Sequence, residues 1–292
     1  MKEKMLLSLL VTVLVCCVQL TDPMTILAYN PAPENGDVFE QGLQEKDKRN
    51  ISVEDFPELE GGPENPERVA PTPIDMTILQ ERYPDTFILR GPANQNRIAL
   101  TFDDGPDPRF TDEVLNVLNQ YNVPGTFFFM GSRAIAYPEI VERTNIEGHV
   151  IGNHTYFHPN LVKEADIPTL EREVTRTEDV LFDIIGYRTS LFRPPYGFLY
   201  NELVEKLGEM QYLIIGWSVD SLDWQEDPPA VIAANVLDNV HPGAIILMHD
   251  GADWDGDRTN TIEALHQIIP TLQEQGYEFV TVPELLTIPF AK

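Results

Sequence analysis

At 292 residues, with 42% hydrophobic and 9% aromatic side chains, the chain is long enough for one barrel-sized domain and too apolar for wholesale disorder. Forty-seven acidic against 20 basic residues give a formal charge of −27, which excludes nucleic-acid binding, since phosphates require Lys and Arg, and docking on anionic lipid. Acidity on this scale speaks to solubility, and to a salty or alkaline medium, rather than to fold.

The chain opens on a mixed head, Met1-Lys2-Glu3-Lys4, followed by an apolar run over 5–20. That run is shorter than the roughly 20 residues of a spanning helix and suits a signal-peptide core. We expect 1–28 to be a signal peptide or an uncleaved signal anchor, with Ile26-Leu27-Ala28 offering a small residue before a cleavage point. The expected location follows: exported, and secreted or held at the cell surface through this leader. Cys16 and Cys17 sit in a poor lipobox, and no cysteine follows them, so the exported part has no disulfide and no thiol nucleophile or ligand.

From 29 to 94 the sequence is acidic and rich in Pro and Glu, as in Asn30-Pro31-Ala32-Pro33-Glu34 and Gly61-Gly62-Pro63-Glu64. This composition predicts a flexible linker, with a short helix over 75–83 against the domain edge. A catalytic domain is expected over 95–288. Short apolar runs at 98–102, 126–130, 149–151, 191–192, 212–218, 244–248 and 277–282 alternate there with helical periods at 111–120, 138–147, 169–185, 201–210, 230–239 and 261–275. In the helix over 169–185, Leu170, Val174, Leu181 and Ile185 share one face and Gly186 is the expected C-terminal cap. Apolar strands alternating with amphipathic helices predict an α/β fold, a distorted (β/α)7-8 barrel, with a doubly wound sheet as the alternative. Asp103-Asp104, His154, Arg193, Asp220 and His249-Asp250 each follow an expected strand. In a barrel those carboxyl ends share one face, so the groups would converge.

His154-Thr155-Tyr156-Phe157-His158 places two imidazoles four apart, on one side of a helical turn, where they can grip one metal ion. Adjacent carboxylates such as Asp103 and Asp104 reach one site only where a strand breaks, and Gly105-Pro106 breaks this one. Two histidines and one carboxylate make a three-ligand site that leaves a position for water, and the spare carboxylate suits a base. Spacing does not say which aspartate does which. His249 ends an apolar strand and suits a general acid; a satisfied core histidine is the plain alternative. Arg193 could keep an aspartate ionised, or simply form a structural salt bridge.

Together these residues resemble the polysaccharide deacetylase family with the NodB homology domain, carbohydrate esterase family 4. The similarity spans roughly 96–286 and includes five motifs in order. They are Thr-Phe-Asp-Asp-Gly-Pro at 101–106, His-Thr-x-x-His at 154–158, Arg-Pro-Pro-Tyr-Gly at 193–197, Asp-Ser-x-Asp-Trp at 220–224 and Leu-Met-His-Asp at 247–250. The resemblance implies a NodB-type fold and assigns roles. Asp103 would be the base, and Asp104, His154 and His158 the ligands of one divalent metal, zinc first, with cobalt, nickel or manganese as alternatives. His249 would be the acid, tuned by Asp223, and Arg193 would position Asp103. Tyr196 would hold the oxyanion through its backbone N–H, Trp224 and Leu247 would wall the acetyl pocket, and Asp220 would support Arg193.

The implied reaction is hydrolysis of a linear amide: removal of N-acetyl groups from N-acetylglucosamine polymers of the peptidoglycan or chitin type, releasing acetate. An O-acetyl (xylan) esterase and a noncatalytic cell-wall glycan-binding module are the alternatives. The partner is then the N-acetylated polysaccharide. Membrane contact is expected only through the leader, and no protein partner is implied. Trp254, within 251–257, is expected either to stack on sugar or to anchor its loop.

Overall fold

The computed structural model describes residues 72–163 and 166–292. The leader expected over 1–28 and most of the linker expected over 29–94 lie outside the described residues. The folded unit begins earlier than residue 95. Asp75 caps a helix, Met76–Arg82, by accepting from the Thr77 N–H, and Leu79 on that helix is fully buried. Strand β1, Phe87–Ile88, follows and pairs in parallel with the strand at 213–215. Leu79, Phe87 and Leu89 bury enough apolar surface to tie 73–94 to the domain, against what the Pro- and Glu-rich composition suggests.

The remaining strands are β2 Arg97–Asp103, β3 Thr126–Phe129, β4 Val150–Asn153, β5 Leu191–Phe192, β6 Leu213–Ile215, β7 Val219–Asp220, β8 Ile245–His249 and β9 Glu278–Phe279. They run in the order β1-β6-β5-β4-β3-β2-β8-β7, with β9 beside the start of β2. Every pairing among these strands is parallel. Helices connect them as the apolar periodicity predicts, and Gly186 closes the helix Ile167–Ile185 at φ 78°.

The one strand expected over 212–218 is two. Gly216 donates its N–H to the Ile88 carbonyl on β1, and Ser218 donates to the Ile245 carbonyl on β8. Within three residues the chain thus leaves one end of the strand path and joins the other. That crossing draws the two ends together and makes a distorted barrel rather than an open doubly wound sheet. Gly216 lets the chain pass close to Leu89, since a Cβ there would lie 2.5 Å from the Leu89 Cδ2 and displace that side chain.

Alternation along β2 sorts the core. Ile98, Leu100 and Phe102 pack outward beneath the helices. Ala99 packs inward with Phe128, Leu191, Ile215 and Ile245, which come from four other strands. Thr101 and Asp103 continue the inward row, so β2 delivers a carboxylate to the barrel mouth.

Candidate active site

β2 ends at Asp103, and Asp104 then adopts φ 74°, turning the chain at the barrel mouth. Gly105 follows because its Cα packs on the Asp250 carboxylate; a Cβ would sit 2.2 Å from Asp250 Oδ2. β4 ends at Asn153 and releases His154. The segment 154–158 is not a helical turn, as the i,i+4 spacing suggested. It is an irregular bend with Thr155 at φ 65° and His158 at φ 60°. Positive φ costs non-glycine residues energy, and side chains hold it here. Asn153 Oδ1 accepts the Thr155 N–H, Thr155 Oγ1 accepts the His158 N–H, and Glu173 Oε2 accepts from both Tyr156 (3.0 Å) and Phe157 (2.8 Å).

Asp104, His154 and His158 converge, with one ligating atom from each within 4.8 Å of the others. Asp104 Oδ1 lies 3.3 Å from Nε2 of both histidines, yet it is buried without a hydrogen-bond partner. His154 Nδ1 is 2.8 Å from the Arg193 carbonyl oxygen, which only accepts, so Nδ1 carries the proton and Nε2 presents its lone pair inward. A lone pair facing a carboxylate oxygen repels it unless a cation lies between them. The donor set, its orientation and the orphaned oxygen all fit a divalent metal. Burial alone would push Asp104 up, but His154 against it and the charges of His249 and His158 hold its carboxyl well below the usual range. His158 is pushed down to about 4 by burial and the neighbouring His154, so it is neutral at pH 7, as a ligand must be.

Two ion pairs flank this cluster. Arg193 is fully buried and its Nη1 donates to Asp103 Oδ1 and Thr101 Oγ1, both at 2.8 Å. Its other donors reach the carbonyls of Ile215 and Gly216, the crossing residue. In the second pair, His249 Nδ1 lies 2.7 Å from Asp223 Oδ1, and Asp223 Oδ2 accepts the His249 N–H and the Thr261 hydroxyl. Burial works against charge on His249, but the Asp223 carboxylate outweighs it and the imidazole is pushed up to about 9.

The remaining expected residues take differing places. Leu247 is buried on the inward row, in register with Thr101. Trp224 is half-exposed on the turn Asp223–Gln225. Tyr196 takes φ 61°, and its ring meets the His158 ring edge-on at 4.7 Å. Asp220 accepts the Leu222 N–H; its charge is felt at Arg193, but no hydrogen bond joins them. Asp250, whose carboxyl is pushed up to about 7 chiefly by burial, is held by the Thr111 hydroxyl.

Asp250 stands at a strand end as expected, without a role assigned to it; Glu173 and Thr261 were not singled out from the sequence. Glu173 alone had left a signal, as a charge set within the buried stripe of Leu170, Val174, Thr177 and Leu181. A cavity of about 600 Å³ opens elsewhere, by His149, Val150, Tyr187 and Phe290. It lies at the amino-terminal ends of the strands and shares no residue with these groups.

The family model described as polysaccharide deacetylase matches residues 90–215. A peptidoglycan-N-acetylglucosamine deacetylase of Bacillus cereus is 42% identical over 205 residues, covering 70% of this chain and 73% of that protein. A chitooligosaccharide deacetylase of Azorhizobium caulinodans is 36% identical over 199 residues, 65% of this chain and 94% of that protein. Among solved structures, a peptidoglycan N-acetylglucosamine deacetylase in complex with 4-naphthalen-1-yl-N-oxidanyl-benzamide superposes with TM-score 0.68. It shares 40% identity over 70% of this chain and 94% of that one.

Proposed function

The chain belongs to the polysaccharide deacetylase family, and from that premise we propose that it removes N-acetyl groups from an N-acetylglucosamine-containing glycan, of the peptidoglycan or chitin type, releasing acetate. The relatives named above act on peptidoglycan and chitooligosaccharide, and the apolar leader would carry the enzyme to such polymers outside the cell. One observation carries the chemistry: a carboxylate bound to a guanidinium and an imidazole bound to a carboxylate both adjoin the cluster of Asp104, His154 and His158.

Those three side chains would hold a divalent cation, zinc first and cobalt, nickel or manganese as alternatives, which supplies Lewis acidity when bound. Asp103 is the base in this reading. Its bond to Arg193, which does not deprotonate, keeps it an acceptor for the proton of a water that adds to the acetamide carbonyl carbon. The Tyr196 N–H donates to the oxygen that becomes negative as the carbon turns tetrahedral, a contribution of roughly 3–4 kcal/mol for a well-placed donor. His249, protonated at neutral pH and oriented by Asp223, passes its Nε2 proton to the sugar nitrogen as the C–N bond breaks. The products are acetate and a free amine, and water supplies the balance of both. Leu247 and Trp224 offer an apolar wall to the acetyl methyl.

Acetate release from N-acetylglucosamine oligomers, purified cell wall and acetylxylan, before and after chelation and with each metal restored, tests the proposal. Chelator-sensitive release from the first two is expected. Release from acetylxylan alone would make it an O-acetyl esterase, and binding without release would make it a glycan-binding module.

A further inference from the structure

The loop after β8 is built to hold its backbone still while leaving one large side chain in solvent. Trp254, on that loop, is 89% exposed. Such an indole contributes almost nothing to holding its own segment, yet the segment is held firmly. The Arg109 guanidinium donates to the carbonyls of Ala252 (3.1 Å), Asp253 (3.0 Å), Trp254 (3.3 Å) and Gly256 (3.2 Å). Asp107 orients that guanidinium through both carboxylate oxygens, at 3.0 and 2.7 Å. Arg133 reaches both Asp107 and the Ala252 carbonyl. A surface connection between a strand and a helix ordinarily leaves such carbonyls to water. Here four of them turn toward one cation.

The loop is also tied to the groups that flank the cluster. It starts two residues after His249, and the Gly251 Cα lies so close to the Asp104 carbonyl that a Cβ would approach it to 2.4 Å. At its far end, Glu226 Oε1 accepts the Asp257 N–H at 2.9 Å, and the Glu226 carbonyl accepts from Asn260. Glu226 closes the turn that carries Asp223 and Trp224. Both partners of the His249–Asp223 pair therefore extend into segments that bear an exposed indole, and Glu226 joins the two segments.

We propose that Trp254 is a sugar-stacking platform which takes a pyranose ring of the glycan beyond the reacting unit. The proposal rests on the deacetylase reading above. In that reading His249 faces the leaving nitrogen, so the chain that rises from His249 borders the sugar side of the scissile bond rather than the acetyl side. A pyranose presents a face of C–H groups that an indole face covers well, and a platform that does not move loses little entropy on capture. The occupant is a neutral N-acetylhexosamine of the same polymer, and Arg109 is the positioning residue behind the platform.

Steady-state kinetics of the metal-loaded enzyme on N-acetylglucosamine oligomers from dimer to hexamer test this. Trp254→Ala should raise KM for the longest oligomers by roughly five- to tenfold while leaving kcat and the dimer KM near wild type. Trp254→Tyr should recover most of the loss. Arg109→Met should shift KM in the same direction, and its effect should vanish in the Trp254→Ala background. A KM unchanged at every length, raised equally at every length, or joined by a fall in kcat would overturn the platform. Tryptophan emission titrated with the hexamer reads binding without turnover: wild type should respond and Trp254→Tyr should respond less. An inactive wild type with that emission difference would sink the deacetylase reading and spare the platform, whereas an equal response in both proteins would sink the platform.

Discussion

Two buried ion pairs flank Asp104, and they differ in one respect that decides their chemistry. Asp103 meets Arg193 at 2.8 Å and Asp223 meets His249 at 2.7 Å, each with at least one partner removed from solvent. The guanidinium never gives up its proton in a protein, so the first pair leaves the carboxylate as the group that exchanges one. The imidazole does titrate, so in the second pair the carboxylate is a fixed charge that keeps the proton on its partner. In the proposed reaction the same side chain, Asp, thus serves as the base in one pair and holds the acid in the other, according to the cation it meets.

The harshest test of the contrast is Asp103→Asn. It keeps the shape and the Arg193 contact but removes the basic oxygen, so kcat should fall by about 10³-fold or more while stoichiometric metal, measured by elemental analysis, is retained. Near-wild-type turnover would break the assignment. On the other side, Asp223→Asn removes the charge that holds the His249 proton, and a fall in kcat of about 10²–10³-fold is expected.

The pH profile sharpens the same point. The acid works protonated, so activity is present below the His249 pKa and is lost as pH rises through it. That puts the wild-type alkaline limb at or below about 9, lower still with a dication beside Asp104. The Asp223→Asn limb should move down, toward the roughly 6.5 of an ordinary histidine. A limb that stays put would mean that Asp223 does not tune His249.

The bend that carries His154 and His158, the proposed metal ligands, is held by Glu173. Glu173→Ala should leave the Tyr156 and Phe157 N–H groups without their acceptor and weaken metal binding by about 10–100-fold in a competition titration. kcat at saturating metal should be preserved, and Glu173→Gln should recover part of the affinity. Smallest of the set is Arg193→Lys. An ammonium keeps a charge beside Asp103 but cannot also serve Thr101, Ile215 and Gly216, so kcat should drop about tenfold and the melting temperature should fall. Unchanged stability would mean that the crossing at Gly216 does not need the guanidinium.

Much of this arrangement was legible in the chain. The strands at 98–102 and 191–192, the Gly186 cap and the placing of Asp103, Arg193 and His249 at strand ends all follow from apolar period and punctuation. Other features were not. The split of 212–218 into β6 and β7 was hidden because Tyr212 to Ser218 reads as one apolar run, and only the partners Ile88 and Ile245 separate it. Residues 73–94 looked like linker because Leu79 and Phe87 are sparse among polar neighbours and gain their burial from distant residues, among them Ile214 of β6 and Leu203, Val204 and Leu207 of the helix Asn201–Glu209.

What the sequence by itself determined is therefore local: which residues end each strand, and which carboxylates, imidazoles and guanidinium it brings to the barrel mouth. Tertiary structure decided which of them meet. Asp103 and Arg193 stand 90 positions apart, Glu173 reaches back to a bend 16 positions away, and Arg109 clamps a loop 147 positions downstream. Hydrophobic period and turn chemistry act over a few residues, whereas pairing across a barrel depends on how all the strands close upon one another.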